Sequence, residues 1–329
     1  MSAAELIVVE AKDADQRLDR WLRKRFPGLT QGRIEKLLRT GQIRLDGKRA
    51  DAKERVFAGH EVRLPPNFDA PPPPASRATV PEKDAEFVRG LVIHADPDVL
   101  VLDKPAGIAV QGGSGTPRHI DGMLDALALD GERPRLVHRL DRDTSGVLVL
   151  ARNARAAARL AEAFRGKTTR KLYWALVAGA PTPPAGRIDL ALAKVAGAGG
   201  ERVAADAEEG LRAITDYATV DAALDRVAWL AMAPITGRTH QLRVHAAEAL
   251  GTPIIGDAKY GGARAAPPPG SPLRALLHLH ARAIDLPHPE GGRLRVEAKL
   301  PPHMAEAWAF FGFEEADGDA VNLFDRKRG

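Results

Sequence analysis

Cysteine and long apolar runs are both missing from this 329-residue sequence. Without a thiol the chain can form neither a disulfide bond nor a thiolate metal site, which excludes disulfide-stapled folds and cysteine zinc sites. No apolar run approaches the roughly 20 residues that cross a bilayer, and the N-terminal segment lacks the layout of a signal peptide. We therefore expect a cytoplasmic protein that does not enter a membrane.

Nucleotide-binding motifs are missing too. The glycine-rich run at residues 111–115 matches neither GxxxxGK[ST] nor GxGxxG, so it predicts a turn rather than a phosphate cradle. The sequence therefore predicts no nucleotide cofactor.

Basic residues are concentrated near the N-terminus. The formal net charge is +5, yet residues 17–55 hold 13 Lys and Arg against 5 Asp and Glu. The rest of the chain is slightly acidic by the same count. A dense basic segment is typical of proteins that bind a polyanion. A solvated charged face is the simpler alternative, but this density favours nucleic acid as the partner.

The basic segment has the pattern of two short helices followed by a hairpin. Apolar residues recur at helical spacing over residues 14–26, and Thr30 can cap a second helix. A hairpin and a further strand are predicted between residues 43 and 64. We expect a compact unit over residues 15–64 whose outward basic side chains contact phosphates. The candidate contacts are Arg17, Arg20, Lys24, Arg33, Lys36, Arg39, Arg44, Lys48 and Arg49.

Residues 65–81 separate this unit from the rest of the chain. They hold seven prolines in seventeen positions, a density that excludes a helix or a central strand. We predict a semi-rigid, extended linker, with a proline-rich ligand for a partner module as the alternative. A second domain is expected over residues 82–313, followed by a loose tail over residues 314–329.

The second region is organised around Leu136 to Arg152, which reads LVHRLDRDTSGVLVLAR. Its flanks are apolar and too short for helices, so they predict two strands joined by a polar loop. Ionisable residues on such a loop are typical of a reactive site, although a charged hairpin tip is the simpler alternative. Many short strands with a few helices predict a mixed, mostly antiparallel α+β domain, with a surface loop over residues 195–210.

Two groups of sequence motifs resemble those of known families. One resembles S4-type RNA-binding domains and reads QRLDRWLRKRFPGLTQGRIEKLLRTGQIRLDGKRA, with AGHEVRLP after it. The other resembles the RluA-type family of pseudouridine synthases and consists of VLDKPAGIAVQGGSG, HRLDRDTSGVLVLA, KLYWALVAG, PITGRTHQLRVH and PIIGDAKYG. These motif sequences are most similar to those of the RluC branch, which acts on large-subunit (23S) ribosomal RNA. The resemblance implies an S4 domain linked to a catalytic domain of pseudouridine-synthase type.

The resemblance also implies a reaction and its residues. Pseudouridine synthases break the N1–C1′ bond of uridine, turn the uracil over and join C5 to C1′, without cofactor or metal. By motif match Asp141 is the covalent nucleophile. Arg238 is the arginine that favours its ionised form, with Arg243 as the second candidate. Tyr173 either takes the C5 proton or, as we prefer, stacks on the uracil, because a phenol is a weak base at neutral pH. Arg139 is expected to hold the RNA around the extruded uridine.

Other assignments stay open at the level of sequence. His138 or His245 could form a hydrolytic triad with Ser145 and Asp143, although Ser145 lacks a GxSxG setting. His278, His280 and His288 could bind a metal, although without an HExxH helix structural histidines are the simpler interpretation. The catalytic motifs are also compatible with transfer RNA as the substrate. A second alternative is a non-catalytic RNA-binding or ribosome-assembly factor that keeps the same fold. We expect a monomer that modifies ribosomal RNA.

Overall fold

The computed structural model describes residues 5–66, 68, 80–113, 116–166, 168–197, 200–223 and 226–321. The chain divides into two compact units, residues 1–78 and 79–329. The division therefore lies within the proline-rich segment 65–81, most of which is outside the described residues. No helix in the described ranges is long and apolar enough to cross a bilayer.

The N-terminal unit is a small α+β domain. Its elements are β1 (Glu5–Val8), β2 (Gln16–Arg17), α1 (Leu18–Arg25), α2 (Gln31–Arg39), β3 (Arg44–Leu45), β4 (Lys48–Arg49), β5 (Arg55–Val56) and β6 (Glu61–Leu64). Four strands form a sheet in the order β1-β6-β3-β4, and β2 pairs with β5. The apolar faces of both helices share one core, in which Trp21, Leu22 and Ile34 are buried. Both predicted helices are confirmed, but the first begins at Leu18 rather than near Ala14, because Asp15 has a positive φ and Gln16–Arg17 pair with β5 as a strand.

The C-terminal unit contains the remaining elements. They are α3 (Glu82–Gly90), β7 (Val92–Ala95), β8 (Val99–Lys104), α4 (Ile120–Met123), β9 (Arg135–Leu136), β10 (Ser145–Ala151), α5 (Ala154–Arg165), β11 (Arg170–Ala178), β12 (Ala185–Asp189), β13 (Leu192–Gly197), β14 (Gly200–Ala205), β15 (Ile214–Ala223), β16 (Val227–Pro234), α6 (Gln241–Val244), β17 (Leu279–Pro287), β18 (Arg293–Glu297), α7 (Pro302–Phe311) and α8 (Glu315–Ala320).

Most strands of this unit belong to one large sheet. Its main path is β12-β15-β16-β11-β17-β10-β8-β7, with β18 paired to β17 and β9 paired to β10. The pairs are antiparallel except β10 and β17, which run parallel with Ser145 opposite His280. This is the mixed, mostly antiparallel α+β domain that the sequence predicts.

The parallel pair depends on a glycine. Gly146 has a φ of +104°, and a Cβ there would overlap the carbonyl oxygen of Ala281 on β17. A side chain would therefore force the two strands apart. This close approach fixes the start of β10, and with it one end of the polar loop that precedes it.

Two expectations are wrong in their details. Residues 195–210 are not simply a surface loop, because β13 and β14 pair as a hairpin whose Leu192 and Val203 are buried. Alanine and glycine in these strands hid the strand pattern. Residues 314–329 are not simply a loose tail either, because α8 forms within them and its Asp319 approaches the buried Arg282 at 3.4 Å. Residues 322–329 lie outside the described residues.

Candidate active site

Asp141 lies on the loop between β9 and β10. These strands pair antiparallel, with Leu136 opposite Leu150, so residues 137–144 form the predicted polar loop between two strands. The Thr144 N–H donates to the Asp141 carbonyl at 3.2 Å and closes a turn. The Asp141 side chain is 22% exposed. Its carboxylate is therefore open to a substrate while most of its surface is covered.

Lys104 anchors the loop from its buried side. It ends β8, is fully buried, and its Nζ donates to the carbonyls of Pro105, Ile108 and Arg142, each at 2.9 Å. Burial lowers the pKa of Lys104 to about 8, against the opposing charges of Asp143 and Asp141. A buried cation directed at the Arg142 carbonyl fixes the backbone next to Asp141.

His138 is a structural member of the same loop. Its Nε2 accepts a hydrogen bond from the Val149 N–H at 2.8 Å, and its ring stacks on Phe164 at 4.7 Å between centroids. Burial lowers the pKa of His138 to about 3, so the imidazole is neutral. Ser145 is buried and bonded to His280 at 2.9 Å. The hydrolytic triad is therefore wrong: Ser145 has a structural partner and no exposed hydroxyl.

The facing wall is the turn between β16 and α6, with sequence TGRTHQ. Gln241 holds it: its Nε2 donates to the Ile214 carbonyl and to Thr215 Oγ1, both at 2.9 Å. Its Oε1 accepts from Thr236 Oγ1 at 2.7 Å and from the Arg238 N–H at 3.0 Å. A buried amide with these four bonds ties the turn to β15.

A cavity of about 640 Å³ opens between the loop and the turn. Asp141, Tyr173, Arg238 and Arg139 all line it, so the fold brings the sequence-predicted catalytic residues to one place. Asp141 is the single carboxylate among the lining residues. The cationic residues of the lining are Arg139, Arg165, Lys171, Arg238 and Arg243.

Tyr173 reaches the cavity from β11, where it lies opposite Met232 of β16. Burial, and then the charge of Asp141, raise the pKa of Tyr173 above its ordinary value. The phenol therefore keeps its proton at neutral pH. This favours orientation or stacking of the uracil over proton abstraction by a phenolate.

The two candidate arginines are in different settings. Arg238 is exposed, and its Nε donates to the Arg212 carbonyl at 3.2 Å. The Arg243 side chain is only 9% exposed and is paired with Asp257. Burial lowers the pKa of Arg243, but the hydrogen bonds and charge of Asp257, and then the charge of Asp141, raise it above its ordinary value. Arg243 is therefore an almost completely buried cation that lines the same cavity as Asp141 and interacts with its charge, which supports the second candidate over Arg238.

Several residues around the cavity were not assigned from the sequence. They lie in motifs that the sequence analysis did identify. The motif TGRTHQLRVH contains His240, the motif PIIGDAKYG contains Asp257 and Tyr260, and VLDKPAG contains Lys104. A lysine that ends an apolar strand was the detectable signal for Lys104, because such a residue must find partners when buried. The other three depend on contacts between distant segments, which local patterns do not encode.

In the N-terminal unit most of the candidate RNA contacts are exposed, but some have protein partners. Arg17 pairs with Asp19 at 2.7 Å, Lys24 pairs with Asp13 at 2.6 Å, and Arg33 Nε donates to the Phe68 carbonyl at 3.2 Å. The exposed candidates are Arg20, Lys24, Lys36, Arg39, Arg44, Lys48 and Arg49.

The three histidines considered as metal ligands have separate partners. His278 Nδ1 bonds to the Leu276 carbonyl at 2.7 Å, His280 bonds to Ser145, and His288 lies 3.3 Å from Asp96. Burial lowers the pKa of His278 and of His280 to about 4. In the part of the chain that the structure describes, no group of three or more His, Asp or Glu could hold a metal ion.

Comparison with family models identifies both units. Residues 98–248 match RNA pseudouridylate synthase, and residues 16–62 match the S4 domain. The first match includes the Asp141 loop and the TGRTHQ turn. The second covers the helices and the hairpin of the N-terminal unit.

Known relatives extend over most of the chain. RNA pseudouridine synthase 4, mitochondrial, of Arabidopsis thaliana is 36% identical over 367 residues, covering 87% of this chain and 77% of that protein. Ribosomal large subunit pseudouridine synthase C of Rickettsia bellii is 34% identical and covers 91% and 99%. The protein of the same name from Escherichia coli is 35% identical and covers 91% and 93%.

A solved structure agrees with these relatives. Human RNA Pseudouridylate Synthase Domain Containing 4 superposes with a TM-score of 0.60 and 31% identity, covering 71% of this chain and 98% of that chain. The non-catalytic alternative considered for the sequence is therefore wrong. The chain belongs to the RNA pseudouridine synthase family, carries an S4 domain ahead of the synthase domain, and is an isomerase that acts on RNA.

Proposed function

We propose that this protein converts uridine to pseudouridine in large-subunit ribosomal RNA, with Asp141 as nucleophile and without a cofactor. The observation that carries the chemistry is the placement of Asp141 as the single carboxylate among the lining residues of a cationic cavity. The substrate is supported by the relatives named as ribosomal large subunit pseudouridine synthases, which match 87–91% of the chain.

The charge of the cavity suits a polyanionic substrate. Five cationic side chains surround Asp141, and Arg139 and Arg165 are exposed at positions where they can reach phosphates. Taking a uridine out of a folded RNA costs a few kcal/mol, which contacts to the flanking phosphates can offset. We assign Arg139 to this task, because it is exposed and lies two residues before Asp141.

The residues around the cavity support the following course for the reaction. A carboxylate oxygen of Asp141 bonds to C1′ of the uridine, and the N1–C1′ bond breaks with its electron pair on the uracil. Arg243, held by Asp257, stabilises the carboxylate before the attack. The uracil then turns within the cavity, where Tyr173 orients it. C5 bonds to C1′ as the bond from Asp141 to C1′ breaks and frees the carboxylate, and the proton on C5 is then lost to solvent while N1 takes up a proton.

Binding by the N-terminal unit is proposed to be electrostatic. Exposed Lys and Arg on α1, α2 and the β3–β4 hairpin would contact RNA phosphates. Such contacts add affinity and a dependence on salt without reading sequence.

Two further expectations stay predictions. The protein is predicted to act as a monomer. It is also predicted to act in the cytoplasm, and one relative is named as mitochondrial.

Mapping of pseudouridines tests the proposal. Total RNA from cells with and without the gene is treated with carbodiimide and read by primer extension. Loss of discrete stops in large-subunit rRNA, restored by the wild-type gene but not by Asp141→Asn, is the expected result. Loss confined to transfer RNA would assign the alternative substrate, and restoration by Asp141→Asn would overturn the nucleophile.

A further inference from the structure

His240 has an unusual backbone conformation beside the catalytic loop. It precedes α6 with φ +54° and ψ +17°, a left-handed backbone conformation that residues other than glycine seldom adopt. Holding it there costs about 1–3 kcal/mol, and such residues cluster at functional sites. The imidazole lines the cavity and is 20% exposed. This conformation directs the ring between two partners.

The first partner is Tyr260. The distance from Tyr260 Oη to His240 Nδ1 is 2.6 Å, and the same hydroxyl accepts the Val203 N–H at 3.3 Å. Because Val203 is a donor, it uses a lone pair of the hydroxyl and leaves the hydroxyl proton for His240. Burial raises the pKa of Tyr260, so the phenol holds that proton at neutral pH. Tyr260 therefore donates to Nδ1, and a neutral His240 carries its own proton on Nε2.

The second partner is Asp141. His240 Nε2 lies 3.9 Å from Asp141 Oδ2, which is longer than a hydrogen bond. Catalytic contacts are often long in the absence of substrate and tighten when it binds. Burial, and then the charges of Arg243 and Lys259, lower the pKa of His240, against Asp141 and Asp257. The ring that faces Asp141 is therefore neutral and presents one N–H.

We propose that Tyr260 and His240 are positioning residues for Asp141: Tyr260 fixes the tautomer of His240, and the His240 Nε2–H then holds one carboxylate oxygen so that the other attacks. The catalytic part of this inference rests on the proposed function, whereas the tautomer does not.

The same contacts connect the β13–β14 hairpin to the active site. Val203 on β14 bonds to the Tyr260 hydroxyl, and Arg202 lies 5.1 Å above the Tyr260 ring. Arg243 contacts this ring too, with its guanidinium 5.0 Å from the ring centroid. Tyr260 is thus a junction between the hairpin, His240 and Arg243.

The test uses Tyr260→Phe and His240→Asn in the full-length protein. Phenylalanine keeps the ring and its contacts with both arginines but removes the hydroxyl. Asparagine tolerates the left-handed conformation, so His240→Asn removes the imidazole with little backbone strain. Tyr217→Phe is the matched control, because Tyr217 is also buried and also loses a hydroxyl bond, to the Pro183 carbonyl at 2.9 Å, but it does not line the cavity.

Single-turnover and steady-state rates on a large-subunit rRNA transcript provide the first readout. Tyr260→Phe and His240→Asn should each lower kcat about tenfold or more with KM within a few-fold, whereas Tyr217→Phe should not change kcat. Tyr260→Phe should also move the acid limb of the pH–rate profile to higher pH. The reason is that the lost hydroxyl stabilises the neutral imidazole, and a protonated His240 would pair with Asp141 and weaken its attack.

Nitrogen NMR of the RNA-free protein, labelled with 15N at histidine, provides the second readout. The His240 signals, assigned by their loss in His240→Asn, should show an unprotonated Nδ1 and a protonated Nε2, and Tyr260→Phe should mix the tautomers. A wild-type Nδ1–H tautomer would overturn the proposal, as would wild-type kcat in Tyr260→Phe or a lowered kcat with an unshifted pH profile. Failure of the proposed function would appear differently, as a wild-type protein inactive on rRNA with the tautomer as described.

Discussion

Arg243 donates two hydrogen bonds to Asp257, from Nε to Oδ2 at 2.8 Å and from Nη2 to Oδ1 at 2.7 Å. Both side chains are almost completely buried, at 9% and 0% exposed. A guanidinium held by two parallel bonds cannot rotate freely, so its charge is fixed relative to the cavity. The pair connects two sequence motifs, TGRTHQLRVH and PIIGDAKYG, and holds a rigid cation in the lining of the cavity that also contains Asp141.

Arg243→Lys should lower kcat about 100-fold, because one ammonium cannot bond both Asp257 oxygens while facing Asp141. Arg238→Lys should lower kcat by a smaller factor, because Arg238 is exposed and bonded to the Arg212 carbonyl. Single-turnover rates on the same rRNA transcript compare the two variants. A larger loss for Arg238→Lys would return the assignment to Arg238.

Lys104 should influence the active loop through its bond to the Arg142 carbonyl. Lys104→Met keeps the length of the side chain but leaves three carbonyls without their donor. We expect kcat to fall while RNA affinity, measured by filter binding, changes little. A variant with wild-type kcat would show that the loop does not need this anchor.

The same lysine gives the stability of the protein a defined pH dependence. Its pKa falls from 10.5 in the unfolded chain to about 8 in the folded protein, chiefly through burial. Between pH 8 and 10.5 the unfolded state therefore binds more protons, so the free energy of unfolding rises with pH by up to about 3 kcal/mol from this group. Urea unfolding of wild type and Lys104→Met across this range measures the difference. A difference that stays constant with pH would contradict the assignment.

Tyr173 is expected to orient the uracil rather than to act as a phenolate base. Tyr173→Phe keeps the ring and should retain more activity than Tyr173→Leu, which loses it. The wild-type rate should not rise between pH 8 and 10, because burial and Asp141 raise the pKa of the phenol above its ordinary value. An alkaline rise that disappears in Tyr173→Phe would assign the base to Tyr173.

Phosphate contacts by α2 can be tested at Lys36 and Arg39, which are both exposed. Replacing both with alanine should reduce the slope of log affinity against log salt by about 1–2, the value for two lost phosphate contacts. Lys24→Ala is the comparison, because Lys24 is already paired with Asp13 at 2.6 Å, and it should change the slope less. An unchanged slope in the double variant would show that this face does not bind RNA.

Local patterns predicted the loop that carries the site and the helices of the N-terminal unit. Apolar flanks around HRLDRDTSG indicated a loop between strands, and helical spacing indicated α1 and α2. Both follow from the period of buried residues along the chain, which the sequence displays directly. The alternation of large apolar and polar residues is weak in β13 and β14, where alanine and glycine replace larger residues. The hairpin was missed for that reason.

These local patterns did not predict contacts between segments that are distant in the sequence. Arg243 was ranked behind Arg238 because the family motif alone does not show which arginine is buried. The burial of Arg243 depends on its pairing with Asp257, which follows α6 in the sequence. His240 and Tyr260 went unassigned for the same reason, because their contact joins two segments of the fold.

The most direct test of the account is tritium release from large-subunit rRNA labelled at C5 of uridine. Each isomerisation removes the hydrogen on C5, so released tritium counts the products. Asp141→Asn should release none while binding RNA within a few-fold of wild type. Asp143→Asn, which changes an equivalent carboxylate paired with Arg142 at 3.2 Å, should remain active. Tritium release by Asp141→Asn at the wild-type rate would contradict the assignment of Asp141 as the nucleophile.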